Sequence, residues 1–417
     1  MPEAAGSPRL LWVADQAPDS SSGGGGIRQA YLFQALARRY SVDLLLAGSL
    51  GDEAVREAAA RVIEVPYRPA LWTNRRTLRQ PLLLGITLAS PYPLTGYLAA
   101  PARRELTRAL RVEQDAYDLV LVEQEELVPL VPAARSQPWV MTFHNLLSGM
   151  LQSEADLASA RPRRWFRKRE VRKARRLEAR ALRAYDHCIT CSAEDARALA
   201  SAVEDPAPER ISVIPNGVDL ESFREQPVPE EPRILFPGTL SYPPNVDGAI
   251  WLCSEIWPRV QQAVPEATLV LAGRSPAPAV ARLADMAGVE VHADVPSMAE
   301  YFERARVVAV PLRVGTGTRI KALQAMAAGR PVVGTSVGLE GLGIVDGVQG
   351  RVADDPQSLA EALIEILQRR DLAAELGRAG RRHVEAHFDW NRIGDQLVEL
   401  VGRLLEQRAA SGSMVAR

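Results

Sequence analysis

The stretch from Pro311 to Pro331 most constrains how this chain of 417 residues can fold. The apolar run Val307–Val310 before it predicts a buried parallel strand. A turn with two glycines follows, and then a run of strong helix formers from about Arg319 to Ala328, ended by a glycine and a proline. Strand, glycine-rich turn and helix in this order predict an α/β unit with a ligand-binding turn.

The glycine-rich turn suits an anion. Glycine lets backbone N–H groups approach an anion closely, and a helix N-terminus carries about half a positive charge. Arg319 and Lys321 place two cations in the first turn, where they oppose the helix dipole unless a bound anion removes the conflict. A tight turn with two solvated basic side chains is the alternative. We favour phosphate binding because glycines, helix start and charge coincide.

The second half of the chain continues this alternation. Two further glycine-containing loops follow predicted strands, at Gly238–Leu240 and at Gly273–Arg274. In doubly wound parallel sheets such loops meet at the carboxyl edge, so we expect them to converge with Gly315–Thr318. The other strands predicted here are Arg233–Phe236, Thr268–Ala272, Val289–Val291 and Pro331–Val333.

The first half opens with a similar unit. The strand Leu10–Ala14 leads into Asp19–Gly26, which includes Gly24 and Gly25, and a helix is predicted at Ile27–Tyr40. The loop lacks G-x-G-x-x-G spacing with a following acidic partner, so it does not predict a dinucleotide site. A flexible surface loop would explain its glycines and serines equally well.

Further buried strands are predicted at Val42–Ala47, Asp118–Val122 and Trp139–Phe143. The last of them ends at His144, at the carboxyl end of a parallel strand, where open α/β sheets bind ligands. A lone histidine is usually structural, so a structural and a functional interpretation of His144 both stay open at this point.

Four motifs carry a family resemblance. Gly315–Val333 resembles the donor-site signature of the family-four glycosyltransferases, a large retaining family with the GT-B fold. Three others follow in that family's order: I-P-N-G-V-D at Ile214–Asp219, F-P-G-T-L-S-Y-P-P-N at Phe236–Asn245, and F-D-W at Phe388–Trp390. The resemblance covers most of the second half and is looser in the first.

The resemblance implies an α/β fold of two Rossmann-like doubly wound parallel-sheet domains that face a cleft. We assign residues 1–204 to an acceptor-side domain and residues 205–387 to a nucleotide-sugar-binding domain, with a linker near Glu204–Pro208. Residues 388–408 would form a helix that crosses back to the first domain. Residues 409–417 are expected to be a disordered tail.

The resemblance also implies transfer of a sugar from a nucleotide diphosphate sugar to an acceptor hydroxyl, with retention and with neither a metal ion nor a cofactor. Lys321 and Arg319 would stabilise the leaving diphosphate, and His144 would orient the sugar. Gly24 and Gly25 would lie in a loop at the cleft. The donor would be bound by Gly238, Thr239, Arg274, Gly315, Thr316, Gly317, Thr318 and Gln324.

The chain departs from the family at two positions of the donor signature. Many relatives carry two glutamates eight residues apart, and here those positions are Thr316 and Gln324. A ribose hydroxyl can donate to the Gln324 amide oxygen, although a carboxylate accepts more strongly. The loop Gly238–Leu240 also lacks the basic residue of many relatives, so Arg274, Arg319 and Lys321 would supply the charge near the diphosphate.

Arg161–Arg183 is the sharpest charge feature, with twelve basic and two acidic residues and a local charge of +10. It predicts a basic amphipathic helix. Such a helix can dock on an anionic membrane, with Trp165 and Phe166 as shallow anchors, or bind a polyanionic acceptor. A solvated helix packed by a narrow apolar stripe is the alternative. No nucleic-acid motif accompanies the charge, so we expect no nucleic-acid partner.

Composition fits a cytoplasmic protein that lies at most on the inner face of a membrane. The formal net charge is −1, and no apolar run reaches the roughly 20 residues of a membrane span. No secretion signal is evident at the N-terminus. Three cysteines in a chain of this size favour a reducing compartment. Cys188 and Cys191 fall in a predicted strand, and we expect them to be buried structural residues.

The segment Leu71–Arg104 breaks the α/β rhythm with several prolines and aromatic residues. Two interpretations stay open: an acceptor-side insertion that touches a lipid or an apolar substrate, and a packed excursion of the first domain. The acceptor itself is expected to carry a hydroxyl and to be lipid-linked or a polysaccharide.

Two functional hypotheses from different classes follow. The first is a retaining glycosyltransferase. The second is a catalytically degenerate homologue that serves as a nucleotide-sugar-binding or scaffold subunit, and it is motivated by Thr316 and Gln324 in place of the two glutamates.

Overall fold

The computed structural model describes residues 7–20, 24–66, 90–93, 100–113, 116–157, 161–204, 207–315 and 319–415. They form two compact units. The first contains the described residues up to Ala155, those from 161 to Pro215, and those from Asn391 onward. The second is formed mainly by Asn216–Trp390. Each unit is an α/β structure around one parallel sheet, as the alternation of strands and helices predicts.

The first unit is built on a sheet of seven strands in the order β3-β2-β1-β4-β5-β6-β7, with every neighbouring pair parallel. Most of its strands are continuous apolar runs that are buried on both faces, as a sheet covered by helices requires. The strands are β1 (Arg9–Ala14), β2 (Ser41–Ala47), β3 (Arg61–Val65), β4 (Leu119–Glu123), β5 (Trp139–Thr142), β6 (His187–Thr190) and β7 (Ile211–Val213).

Helices cover this sheet, and the last of them comes from the C-terminus. The helices are α1 (Gly24–Ala37), α2 (Glu53–Ala58), α3 (Ala100–Glu113), α4 (Leu147–Asp156), α5 (Arg161–Ala184), α6 (Ala193–Ala200) and the C-terminal helix Trp390–Val415, with 3₁₀ turns at Glu125–Leu130 and Pro208–Arg210.

The boundary between the units lies later than predicted. Residue 205 was expected to begin the second domain, but β7 hydrogen-bonds in parallel with β6 and completes the first sheet. The first unit therefore runs to Pro215. A strand of three residues after a proline-rich stretch is too short to stand out in the sequence.

The C-terminal helix also extends past its predicted end at residue 408, because it continues to Val415. Residues 409–415 are therefore helical and are not the expected disordered tail. The helix packs on the first unit: the Tyr40 hydroxyl donates to the Val398 carbonyl at 3.4 Å, and Arg408 donates to the Asp118 carbonyl at 2.8 Å.

The second unit is built on six parallel strands in the order β10-β9-β8-β11-β12-β13. These are β8 (Arg233–Pro237), β9 (Thr268–Gly273), β10 (Val289–Ala293), β11 (Val307–Val310), β12 (Val332–Gly334) and β13 (Gly350–Val352). The flanking helices are Pro243–Trp251, Trp257–Ala263, Pro278–Ala281, Ala299–Arg304, Ile320–Ala327, Pro356–Gln368 and Arg370–His387, with a π-helical turn at Leu252–Ile256 and a 3₁₀ turn at Arg282–Asp285.

The predicted basic helix is present as α5, but part of its charge is internal. Lys173 and Glu170 are buried and form an ion pair at 2.8 Å. Arg167 pairs with Glu154 at 2.7 Å. Cys188 and Cys191 are buried, as predicted. Most of the segment Leu71–Arg104 lies outside the described residues; α3 begins at Ala100, and its Pro101 falls in the first turn, where no helical N–H is lost.

Candidate active site

Three glycine-containing loops were expected to converge at the carboxyl edge of the second sheet, and the structure brings two of them into contact. Gly238 directly follows β8 with φ +148°, and Gly273 ends β9 with φ +154°. A Cβ on Gly273 would lie 1.7 Å from the Gly238 carbonyl oxygen, so only glycine fits there. The third loop contributes Gly315; Thr316, Gly317 and Thr318 lie outside the described residues.

Lys321 reaches across this edge from the first turn of the helix Ile320–Ala327. Its Nζ donates to Asn245 Oδ1 at 2.7 Å and lies 4.9 Å from the centre of the Phe236 ring. A Cβ on Gly238 would lie 2.8 Å from this Nζ, so the ammonium faces the backbone of the Gly238 loop directly. Burial, with a smaller contribution from Arg319, lowers the pKa of Lys321 to about 7.

Arg319 lies immediately before that helix and is 8% exposed. Its guanidinium lies against the backbone of Gly315: a Cβ added to that glycine would be 2.7 Å from Arg319 Nη2. The Val337 carbonyl accepts hydrogen bonds from Arg319 Nε at 3.4 Å and from Nη2 at 3.3 Å. The structure therefore brings both predicted cations to the glycine turns at the end of the sheet.

The other described residues that were predicted to bind the sugar donor lie at the same edge of the second sheet, and two of them accept hydrogen bonds at their backbone carbonyls. The Thr239 carbonyl accepts from Asn245 Nδ2 at 2.8 Å. The Arg274 side chain is exposed, and its carbonyl accepts from the Leu240 N–H at 2.8 Å, which joins the first two loops. Gln324 is half-buried one turn after Lys321 on the same helix.

Two residues of this edge were not predicted from the sequence. Asn245 accepts a hydrogen bond from Lys321 and donates one to the Thr239 carbonyl. It is the last residue of the F-P-G-T-L-S-Y-P-P-N motif, but the motif alone did not indicate this role. Asp294 has φ +51° and accepts the Ser275 N–H at 2.8 Å, which ties the loops after β9 and β10 together. Its sequence context carried no indication of this role.

The carboxyl edge of the first sheet holds His144. His144 Nε2 lies 2.6 Å from Glu123 Oε2, and Glu123 is 1% exposed at the end of β4. On the other side of the ring, a Cβ on Gly25 would lie 2.9 Å from His144 Nδ1. Gly24 and Gly25 were expected in a loop, but they form the first turn of α1. The missing Cβ at Gly25 lets this helix approach the imidazole closely.

Carboxyl groups dominate the rest of this edge. Burial, and then the nearby charge of Glu126, raises the pKa of Asp15 to about 7. The same two causes, in the same order, raise the pKa of Glu125 well above its ordinary value. Burial also raises the pKa of Glu178, which accepts the Ser148 N–H at 2.8 Å at the start of α4. This edge favours protonated or hydrogen-bonded carboxyl groups.

Two features that would bear on partners are absent from the described residues. No three His, Cys, Asp or Glu side chains in this part of the chain lie close enough together to hold a metal ion. No helix in the described ranges is both long enough and apolar enough to cross a bilayer.

Comparisons with known proteins identify the class. Residues 22–222 match the family model described as Glycosyltransferase Family 4, and residues 231–369 match the model described as Glycosyl transferases group 1. Together the two models cover most of the chain. This chain belongs to the family-4 glycosyltransferases, with the two-sheet architecture of the GT-B class.

Particular relatives are more distant. The chain is 26% identical to D-inositol 3-phosphate glycosyltransferase from Thermobispora bispora over 53% of this chain and 57% of that protein. The chain therefore spans about half the length of the curated relatives it matches. Among solved structures it resembles sucrose-phosphate synthase from Thermosynechococcus elongatus, with 19% identity, a TM-score of 0.72, and 96% of this chain and 100% of the other covered.

A second solved structure was determined with ligands. It is Anabaena HepE in complex with UDP and glucose, with 16% identity and a TM-score of 0.67, covering 95% of this chain and 100% of the other. At these identities the structural matches establish the fold alone.

Proposed function

We propose that this protein is a retaining glycosyltransferase that moves a sugar from a nucleoside diphosphate sugar to an acceptor hydroxyl without a metal ion. The observation that carries the proposal is the end of the second sheet. There Lys321 Nζ faces the Gly238 backbone, and Arg319 folds over Gly315. Two cations beside glycine turns match the charge and shape of a diphosphate.

The proposed mechanism is electrostatic. As the bond between sugar and diphosphate breaks, negative charge grows on the leaving group, and fixed donors aimed at that charge lower the barrier. Lys321 and Arg319 would supply this stabilisation together with the backbone of the Gly238 and Gly315 turns. In the transfer, His144 would orient the sugar. The acceptor oxygen would form its bond to the sugar on the face that the diphosphate leaves, its proton would pass to the departing diphosphate oxygen, and no side-chain nucleophile is assigned.

Lys321 is suited to this role because its protonation depends on whether an anion lies beside it. A diphosphate beside its ammonium favours the protonated form, so the pKa of Lys321, about 7 in the free protein, rises on binding. The donor would thereby complete the positive site that holds it. Gln324 would accept from the nucleotide ribose, and we propose UDP as the first nucleotide to test because HepE binds it.

The test is nucleotide release from a panel of nucleoside diphosphate sugars, with and without a pool of acceptors and with a chelator present throughout. A transferase releases nucleotide faster when acceptor is added and does so in the chelator. Release that needs a divalent ion would overturn metal independence. The anomeric configuration of the product, read by NMR coupling constants, tests retention.

The competing proposal is a degenerate homologue that binds nucleotide sugar without transferring it. It is motivated by Thr316 and Gln324, which stand where many relatives have glutamates. Saturable donor binding without acceptor-dependent release across the whole panel would favour it. No cofactor is proposed in either case.

For the acceptor we propose a lipid-linked or polysaccharide hydroxyl, reached by cytoplasmic protein docked on the inner face of a membrane. The exposed side of α5 supports this, because Trp165 is 59% exposed and three exposed basic residues follow it at steps of three or four residues, which places them on one side of the helix: Lys168, Arg172 and Arg176. Anionic lipid attracts each such side chain by about 1 kcal/mol.

Liposome sedimentation tests the docking. Charge reversal of Lys168, Arg172 and Arg176 to Glu should abolish binding to anionic vesicles, while reversal of the exposed Arg259, Arg282 and Arg304 of the second unit should not. Lys173 and Arg167 are unsuitable because each already forms an ion pair within the first unit, so its reversal would also place two like charges together. Equal sedimentation of both triple variants, or no binding at low salt, would point to a soluble acceptor.

A further inference from the structure

Within the described parts of the chain, Glu123 is a buried side chain with only one of its two carboxylate oxygens in a hydrogen bond. It is 1% exposed at the end of β4, and its Oε1 has no hydrogen-bond partner among the described residues. Its Oε2 lies 2.6 Å from His144 Nε2. Burying a carboxylate with one oxygen unsatisfied costs free energy that an apolar side chain of similar volume would not. Such groups persist mainly where the site needs them.

The contact fixes where the imidazole proton lies. An ionised carboxylate can only accept hydrogen bonds, so in this 2.6 Å contact the ring is the donor and Nε2–H donates to Glu123 Oε2. In metal and triad sites a carboxylate that accepts one ring N–H in this way sets both the tautomer and the ring orientation of a histidine.

The opposite end of the same ring is also constrained. His144 Nδ1 faces the first turn of α1, where the Cβ that Gly25 lacks would come within 2.9 Å. The side chain of His144 is 12% exposed. The ring therefore lies between a buried carboxylate and a helix backbone, and it can neither rotate nor flip without leaving one of them.

We infer that Glu123 is a positioning residue for His144: it holds the imidazole by Nε2 so that the ring keeps one orientation toward the sugar during transfer. This inference rests on the proposed function for its catalytic consequence, but the orientation of the ring can be measured without any activity. Glu123 acts through His144 and is not expected to touch the nucleotide.

The first measurement is the proton spectrum of histidine-labelled protein, in which all five histidines can be assigned by single substitutions. A buried Nε2–H bound to a carboxylate gives a far-downfield, slowly exchanging resonance. This resonance should be present in the wild type and lost in Glu123→Leu and in His144→Gln. It should remain in Glu178→Gln, which removes another buried carboxylate, one that contacts the Ser148 backbone in the segment after His144.

The second measurement is transfer kinetics. Because misplacing a substrate-orienting group by about 1 Å can cost roughly 100-fold, Glu123→Leu should lower kcat by tens of fold while KM for the donor changes little. Glu123→Gln keeps the volume and an acceptor oxygen and should fall between Leu and wild type, and it also serves if the Leu variant folds poorly.

The outcomes separate the two proposals. A resonance that survives in Glu123→Leu, or a kcat unchanged by both Glu123 variants, overturns the positioning role. Absence of transfer by the wild type with every donor, while the resonance behaves as expected, overturns the proposed function and leaves Glu123 as the group that orients His144.

Discussion

The carboxyl edges of the two sheets have the same backbone design and opposite chemistry. In the first unit the edge carries acids, among them Asp15 after β1 and Glu123 at the end of β4. In the second unit it carries cations, with Lys321 and Arg319 after β11. Burial raises the pKa of Asp15 to about 7 and lowers the pKa of Lys321 to about 7.

This difference shows how one architecture is divided between two tasks. Doubly wound sheets bring loops together at one edge regardless of sequence, so the fold supplies the place and the side chains supply the chemistry. At the second edge, the two cations beside glycine turns support the proposed diphosphate site. At the first edge Glu123 and the start of α1 hold a histidine from both sides, which suits orientation of a neutral sugar or acceptor. Substitutions should therefore separate nucleotide binding from transfer.

The largest expected effect concerns Asp15 and pH. Its pKa is about 7 in the folded protein and near 3.8 unfolded, so the folded state binds more protons between these values and stability falls as pH rises from about 4 to 7. Asp15→Asn removes this dependence. At pH 8 it should stabilise the first unit by up to about 4 kcal/mol relative to wild type, and at pH 4.5 by far less.

Hydrogen exchange checks this region by region, because a two-unit protein has no single unfolding free energy. Peptides from β1 and β4 should gain protection in Asp15→Asn at pH 8, while peptides from β8 and β11 serve as the internal control. Equal protection of wild type and variant at pH 8 would mean that Asp15 ionises freely and that the first edge does not penalise carboxylates.

The next effect in size is the loss of the cation at the second edge. Lys321→Met keeps the apolar stem but removes a charge-assisted contact worth about 1.5 to 3 kcal/mol, so nucleoside diphosphate should bind at least tenfold more weakly. Without ligand the melting temperature should hold or rise, since a partly buried ammonium is lost. Calorimetry checks the affinity, with the exposed Lys168→Met as the matched control.

Proton linkage sharpens the same comparison. The pKa of Lys321 is lowered to about 7 from 10.5, so the unfolded state binds more protons between these values and this group makes the second unit more stable as pH rises through that window. A diphosphate reverses the shift, so binding at pH 8 should take up a proton. Calorimetry in buffers of different ionisation enthalpy should show that uptake in wild type and not in Lys321→Met.

The parts that could be predicted from sequence depend on local pattern. The buried strands at Leu10–Ala14 and Val307–Val310 are apolar runs, and the structure has them at Arg9–Ala14 and Val307–Val310. The two cations were placed in the site because they sit beside glycines at a helix start. Asn245, which accepts from Lys321, is 76 residues away from it in the chain, and no local pattern pairs the two.

The failures have physical causes of the same kind. Gly24 and Gly25 were expected in a loop, yet they begin α1, and at Gly25 a Cβ would lie only 2.9 Å from His144 Nδ1. Glu123 was not predicted as a site residue, because an acidic residue at the end of a strand is common. Only the fold shows that its carboxylate is buried against the His144 imidazole. Tertiary pairing decided both cases.

A smaller effect is expected at the first edge. In Gly25→Ala the new Cβ would lie 2.9 Å from His144 Nδ1, so the ring must shift by a few tenths of an ångström. We expect kcat to fall several-fold, well short of the roughly 100-fold associated with a 1 Å misplacement, with the affinity for nucleoside diphosphate unchanged. Transfer assays with parallel calorimetry measure both. A loss of nucleotide affinity equal to that of Lys321→Met would remove the division of labour between the edges.

The smallest effect concerns Gln324, which lies at the second edge one turn after Lys321 on the same helix. A ribose hydroxyl can donate to its amide oxygen, and a carboxylate would accept the same hydrogen bond more strongly. Gln324→Glu should therefore keep or improve nucleotide affinity by up to about tenfold, and Gln324→Leu should weaken it by leaving the hydroxyl unpaired, at about 1 kcal/mol. Calorimetry with a nucleoside diphosphate measures both variants. If all three proteins bind equally, the ribose is held elsewhere, and the second edge recognises the diphosphate alone.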